Sequence, residues 1–143
     1  MSKGNAFSNE MLLLIFNAIP IAYLADNASA SPVTNLYVSL HNGDVGEGGT
    51  QTTNETNYAS YARVAVARSA AGWTVTDNAV DNAALVQFPS CTGGTDTITH
   101  FAVGMASSGI GTVFYKGTLA SPLAVSSGVQ PEFATGDIRI TED

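Results

Sequence analysis

Residues 35–41 read Asn35-Leu36-Tyr37-Val38-Ser39-Leu40-His41. Leu36, Val38 and Leu40 recur at every second position, with Tyr37, Ser39 and His41 between them. Successive side chains of an extended chain point to opposite faces, so this spacing predicts a β-strand with an apolar face. The same spacing continues downstream. Ala62, Val64 and Val66 oppose Arg63, Ala65 and Ala67, and Trp73 and Val75 follow a turn at Gly72. Val80–Phe88 is an apolar run stopped by Pro89. Phe101, Val103 and Met105 oppose Ile98, His100 and Ala102, while Val113, Tyr115 and Leu119 alternate with Phe114, Lys116 and Thr118. Leu123–Val125 is a short run, and Ile138 and Ile140 close the series. Gly, Asn, Asp and Ser clusters separate these runs, and Asp77 and Asp81, with Asn78 and Asn82, in the stretch TDNAVDN have the chemistry of a hairpin turn. The pattern predicts about eight short strands in a mainly β fold, an antiparallel β-sandwich or jelly-roll-like domain. No strand alternates with a long amphipathic helix, which excludes a parallel α/β architecture.

Upstream of residue 32 the texture differs. Residues 11–24 read MLLLIFNAIPIAYL. This stretch is shorter than the ~20 apolar residues a membrane span needs, and Asn17 and Pro20 interrupt it. Lys3 and Ala28-Ser29-Ala30 imitate a signal peptide and its cleavage site, but Glu10 abuts the apolar run. A short helix fits best, with Ser8 as N-cap, Phe7 packing on Leu12, and Pro20 ending it. Leu12, Leu13, Leu14, Ile15 and Phe16 are consecutive and cover every face, so such a helix must be buried on more than one side. These residues and Ile19 are expected to meet a neighbouring subunit, making the protein a homo-oligomer, a dimer or trimer. The domain boundaries that follow are an apolar helix and linker at 1–31 and a β-sandwich domain at 32–143. That domain is expected to stay folded when residues 1–26 are removed.

One long segment lacks alternation: Asn42–Asn57, NGDVGEGGTQTTNETN, with four glycines and Val45 as its only large apolar residue. Loops of this length are usually functional. With so little to bury, it is expected to be mobile alone and held by a partner chain. Asp44, Glu47 and Glu55 are its candidate contact residues. Their spacing matches no EF-hand, so they read as solvated acids and no metal is expected.

Composition narrows the function. The 143 residues include 5 Lys and Arg against 12 Asp and Glu, a net charge of −7, so clustered phosphate contacts are excluded and no nucleic acid is expected. Hydrophobic residues make up 45%, too many for a disordered chain. A single cysteine, Cys91, cannot form an internal disulfide and reads as a small hydrophobe. Catalysis has little to work with. His41 and His100 are the available bases, there is no Gly-x-Ser-x-Gly elbow, and the loop glycines lack the Gly-Lys-Ser/Thr ending of a phosphate cradle. Asn27-Ala28-Ser29 and Asn54-Glu55-Thr56 match the glycosylation sequon, which carries meaning only in a eukaryotic secretory protein. Tyr58, Tyr61, Trp73 and Tyr115 can stack on sugars, though Trp73, two residues from Val75, reads as core. No catalytic residue, cofactor or membrane partner is expected.

Leu36–His41 is followed by Gly43-Asp44-x-Gly46-Glu47-x-Gly49-Thr50-Gln51-Thr52 and by Asn54-Glu55. Further on come Tyr61-Ala-Arg-Val-Ala-Val-Ala-Arg68, Thr99-His-Phe-Ala-Val-Gly104, Ser121-Pro-Leu-Ala-Val125 and Ile140-Thr-Glu-Asp143. Together with the apolar helix and Ala25-Asp26-Asn27-Ala28, these stretches resemble a family of small tailed-bacteriophage virion proteins, whose members are often labelled tail fibre proteins. The resemblance covers nearly the whole chain. It implies a non-enzymatic virion structural protein made in the bacterial cytoplasm. Size, acidity and arm-like segments direct the expectation to a capsid cement or decoration protein on the capsid exterior, clamping neighbouring subunits of the major capsid protein. The alternative is a tail-associated host-recognition module.

Overall fold

In the computed structural model, which describes residues 5–21 and 33–142, a helix α1 (Asn5–Asn17) precedes nine strands. The strands are β1 (Asn35–His41), β2 (Val64–Ala67), β3 (Trp73–Thr76), β4 (Ala79–Asn82), β5 (Val86–Gln87), β6 (Asp96–Gly104), β7 (Val113–Val125), β8 (Glu132–Phe133) and β9 (Arg139–Thr141). They form sheets in the orders β2-β1-β6-β7, β3-β4-β9 and β5-β8. The pairs β1–β6, β6–β7, β3–β4 and β4–β9 are antiparallel. The fold is thus mainly β with one short helix, as the alternation predicts, and is consistent with a β-sandwich. The linker at 22–31, with Ala25–Ala28 and the Asn27 sequon, lies outside the described residues, as do Lys3 and Asp143.

The chain divides into two compact units. One comprises Met1–Asn35, Val66–Val86 and Phe133–Asp143; the other comprises Leu36–Ala65 and Gln87–Glu132.

In the first unit, α1 packs on β3 and β4. Phe16 meets the Trp73 ring edge-on, with centroids 4.7 Å apart. Leu12, Phe16, Trp73, Val80 and Ile138 are all fully buried. The helix begins at Asn5, so Ser8 is an interior, buried residue and not the N-cap that sequence spacing predicts. Its end falls where Pro20 predicts. Ala18 takes a left-handed φ of 57°, and the Ile19 amide reaches back to the Leu13 carbonyl at 3.1 Å. The β3–β4 turn is the tight Asp77-Asn78 hairpin, with Thr76 paired to Ala79 and Asp77 at φ 53°, whereas Asp81 and Asn82, read from sequence as turn residues, lie in β4 paired to Thr74 and Trp73.

In the second unit, β1 pairs with β6 from Tyr37↔Gly104 to His41↔His100. Leu36, Val38 and Leu40 are buried, and so are Ser39 and His41 on the opposite face. Register slips twice along β6–β7. Phe114 is an extra residue between the pairs Val103↔Tyr115 and Gly104↔Val113, and residues 119–122 bulge out opposite Thr99. Met105 does not share the burial of Phe101 and Val103, because β6 ends at Gly104. Just before β2 the expected phase is reversed: Arg63 is buried and Ala62 exposed. The guanidinium is drawn inward by an ion pair that alternation cannot reveal.

Candidate interaction sites

The helix residues singled out in sequence separate into two groups. Leu12 and Phe16 are four apart, one turn of a helix, so they face the same way; both are fully covered by the chain itself. Leu13, Leu14 and Ile15 are half-buried, and Ile19 is 49% exposed. Strands β3 and β4 of the same unit give the helix a seat, which the strand count in the sequence did not suggest. The end of the helix is closed by Arg68. Its Nε donates to the Ile15 carbonyl at 2.7 Å, Nη2 to Leu14 at 2.6 Å, and Nη1 to Val33 at 3.1 Å. A cation on the last carbonyls satisfies groups that have no partner within the helix and offsets the negative end of its dipole.

The three loop acids also part company. Asp44 and Glu47 flank the Lys116 ammonium at 3.0 and 3.3 Å. The Gly46 amide and the Lys116 ammonium hold the Asp44 carboxyl below its ordinary range, and the two acids hold Lys116 above its own. All three are solvated, so the cluster contributes little to stability. Glu55 lies elsewhere. Its carboxylate accepts from Arg63 Nε at 2.6 Å, Arg63 Nη2 at 2.7 Å and the Tyr61 hydroxyl at 3.0 Å. The Arg63 side chain is only 2% exposed, so this is a largely desolvated bidentate pair, which fixes geometry more than it stabilises. Tyr61 also accepts from the Leu40 amide at 3.0 Å, and burial pushes its phenol well above the ordinary range. Among the described residues, no group of three or more His, Cys, Asp or Glu is placed to hold a metal ion.

The loop at 42–57 is anchored by its own chain, contrary to the mobility expected from its composition. Gln51 is fully buried. Its backbone amide donates to the Gly111 carbonyl at 3.0 Å, and its side-chain oxygen accepts from the Ala106 amide at 2.9 Å. A Cβ at Gly104 or Gly111 would overlap the Gln51 carboxamide, so both glycines are needed for this approach. His41 holds the far side of the loop: Nδ1 lies 2.9 Å from the Thr53 carbonyl and Nε2 2.9 Å from the Ser39 hydroxyl. With Nδ1 protonated, a neutral ring satisfies both partners. Burial is the chief cause lowering the His41 pKa. Thr56 Oγ1 donates to Asp96 at 2.6 Å and the Asn42 amide to the same carboxylate at 3.3 Å.

Gln51, Arg63 and Arg68 were all missed as functional positions in the sequence. Their one visible signal is an uncharged amide in a glycine-rich loop, and two arginines in a chain with only five basic residues. Of the other candidates, His100 Nδ1 lies 2.8 Å from Thr99 Oγ1, and Cys91 is buried with its thiol toward the Gly93 carbonyl at 3.2 Å. Tyr58 is buried, donates to the Pro89 carbonyl at 2.9 Å, and has its pKa pushed up to about 12, mainly by burial. Its ring is thus spent on packing rather than offered to a sugar.

Beside Glu55 and Arg63 lies an open cleft of about 380 Å³, lined by Asn57, Ser60, Tyr61 and Ser107–Gly109 among others. The β6–β7 turn forms one wall. Arg63 Nη1 donates to the Ala106 carbonyl at 2.9 Å and Nη2 to Gly109 at 2.8 Å. The same ion pair that buries Glu55 therefore fixes this turn, from which Ile110 projects at 82% exposure.

The family model described as podophage GP4 fiber I protein gp80 matches residues 15–141. No curated protein matches the chain. The matched span takes in all nine strands, so the likeness covers both units.

Proposed function

We propose, from the premise that this chain belongs to the podophage GP4 fiber I protein gp80 family, that it is a non-enzymatic, fibre-associated subunit of a tailed-phage virion. A virion structural role follows from membership. The fibre position is the finer reading, and the family's description supports it over the capsid-cement role suggested by size and acidity. The match spans both units, so that description applies to the whole chain. A short β-rich chain with no fibrous repeat is suited to a fibre's attachment or end rather than to its shaft. The half-buried side chains Leu13, Leu14 and Ile15 of α1, with the exposed Ile19 just beyond its end, are the surface through which copies associate. The polar groups nearest to catalytic types support a passive role: His41 is fully buried, and Glu55 is neutralised by Arg63.

Copy number tests the position. Gel densitometry of purified virions against the major capsid protein should give a count in the tens, with labelled antibody at the tail. A count in the hundreds spread over the shell would establish the cement role instead.

A further inference from the structure

Another cleft of the second unit, about 330 Å³, opens between the glycine-rich turn at 46–49 and the start of β7, where Phe114, Tyr115 and Lys116 line it together with Glu47. That volume is at the lower end of the roughly 300–1,000 Å³ of small-molecule sites. Its walls carry two kinds of side chain. Phe114 is 39% exposed and is the extra residue of a β-bulge, a device that re-aims a side chain. Tyr115, a sugar-stacking candidate in the sequence, is half-buried next to it. On the other side the Lys116 ammonium lies 3.0 Å from Asp44 and 3.3 Å from Glu47.

These three charges are solvated and contribute little to stability. They are nonetheless held in place. The Asn54 side-chain amide donates to the Asp44 carbonyl at 2.8 Å, and the Gly46 amide donates to the Asp44 carboxylate at 3.1 Å. A Cβ at Gly49 would overlap the Val45 carbonyl, so glycine is needed for the turn to close on itself. Fixing polar groups before a ligand arrives removes an ordering cost from binding.

The hydrogen-bonding capacity left over points to the ligand. An ammonium has three donors, and Lys116 directs two of them at the carboxylates. The Glu47 side chain is 96% exposed and keeps acceptor sites open to solvent. The cleft thus sets a donor and acceptors beside an aromatic ring. A sugar hydroxyl both donates and accepts, and the C–H face of a pyranose is apolar, so one sugar unit matches both walls. Charge argues against other ligands. Two carboxylates and a net charge of −7 repel an anion, and a cation would have to displace Lys116 from both acids.

We propose that this cleft binds a neutral saccharide, with Phe114 stacking on the sugar ring and Lys116 and Glu47 hydrogen-bonding its hydroxyls. The site binds without cleaving: Glu47 is open to water, not in the apolar pocket that keeps a catalytic carboxyl protonated. The inference goes beyond the virion reading and is independent of where in the particle the chain sits.

The test is a titration of the isotope-labelled full chain with glucose, galactose, mannose, maltose, lactose and cellobiose, followed in amide spectra. At least one sugar should give saturable shifts confined to residues 43–49 and 113–117. Phe114→Ala should weaken that binding at least tenfold and Phe114→Tyr should retain it, with the rest of the spectrum unchanged. Glu47→Ala, at a position too solvated to affect folding, should weaken it severalfold. Glucuronate should bind at least tenfold more weakly than the best neutral sugar. The proposal is overturned by the absence of saturable shifts with every sugar, by shifts that lie outside the cleft, or by binding that Phe114→Ala and Glu47→Ala both leave unchanged. Glucuronate binding as tightly as the neutral sugars would overturn the assignment of an uncharged ligand.

Discussion

At the scale of single residues, function in this chain depends on polar side chains that have been taken out of water. His41 carries the clearest consequence. The fold favours the neutral ring, because burial outweighs the Thr53 hydrogen bond and the attraction of Glu55, and is reinforced by Arg63 and His100. A group whose folded pKa lies below its ordinary 6.5 contributes stability that is complete above that value and is lost as pH falls through it toward the folded pKa. Protonation keeps the Nδ1 bond to Thr53 and instead places a charge inside the second unit, so it is the stability of that unit that falls. Amide exchange across β1 and β6 should accelerate between about pH 7.5 and about pH 5.5, and His41→Gln should remove that dependence. Strands equally protected at both values would show that His41 does not set their stability. Arg68 gives a second residue-scale prediction. Its guanidinium donates to three backbone carbonyls, and a hydrogen bond to a charged group is worth about 1.5–3 kcal/mol. Arg68→Met should destabilise the first unit by at least about that amount in urea melts, with the loss concentrated in α1 exchange.

The elements were legible in sequence where apolar side chains recur at every second position. β1, β3 and β9 follow from period-two spacing and the turn at Asp77-Asn78 from its residues, whereas the apolar run Val80–Phe88 divides between β4 and β5. What escaped detection follows from polar burial. The 42–57 loop has almost no apolar side chains, and hydrophobic counting therefore leaves it unsupported. Yet Gln51 and Thr56 are buried and bonded within the chain. A buried amide with its partners satisfied can anchor a segment as an apolar side chain does, but its letter in the sequence is that of a surface residue. Arg63 misled for the same reason: its spacing places it outside, and only Glu55, eight residues earlier, explains its inward turn. The interaction candidates were legible as acids and as apolar helix positions, but not in their grouping. Asp44 and Glu47 converge on Lys116, distant in sequence, whereas Glu55 joins the support of the β6–β7 turn.

At the scale of the whole molecule, the question is which part of the chain can be removed without loss of its cores. Alternation that begins at Leu36 suggests that residues 1–26 are dispensable. The first unit argues otherwise, because α1 lies on β3 and β4, and Leu12 and Phe16 are both fully buried. Losing a buried Phe to Ala alone costs about 3–5 kcal/mol, a large share of the 5–15 kcal/mol that holds a typical domain together. The chain carries its own reporter, since its single tryptophan, Trp73, is fully buried with its ring 4.7 Å from Phe16. Removing residues 1–26 should shift Trp73 emission to the red and abolish its near-ultraviolet circular dichroism, even if β1, β6 and β7 keep their amide protection. Leu14→Ser with Ile19→Ser should do neither, because those side chains are not core. Light scattering should instead show that this pair dissolves any oligomer built through the outer face of α1. Unchanged Trp73 emission after the truncation would mean that the strands bury the indole without the helix. An oligomer that survives the double substitution would place self-association elsewhere on the chain.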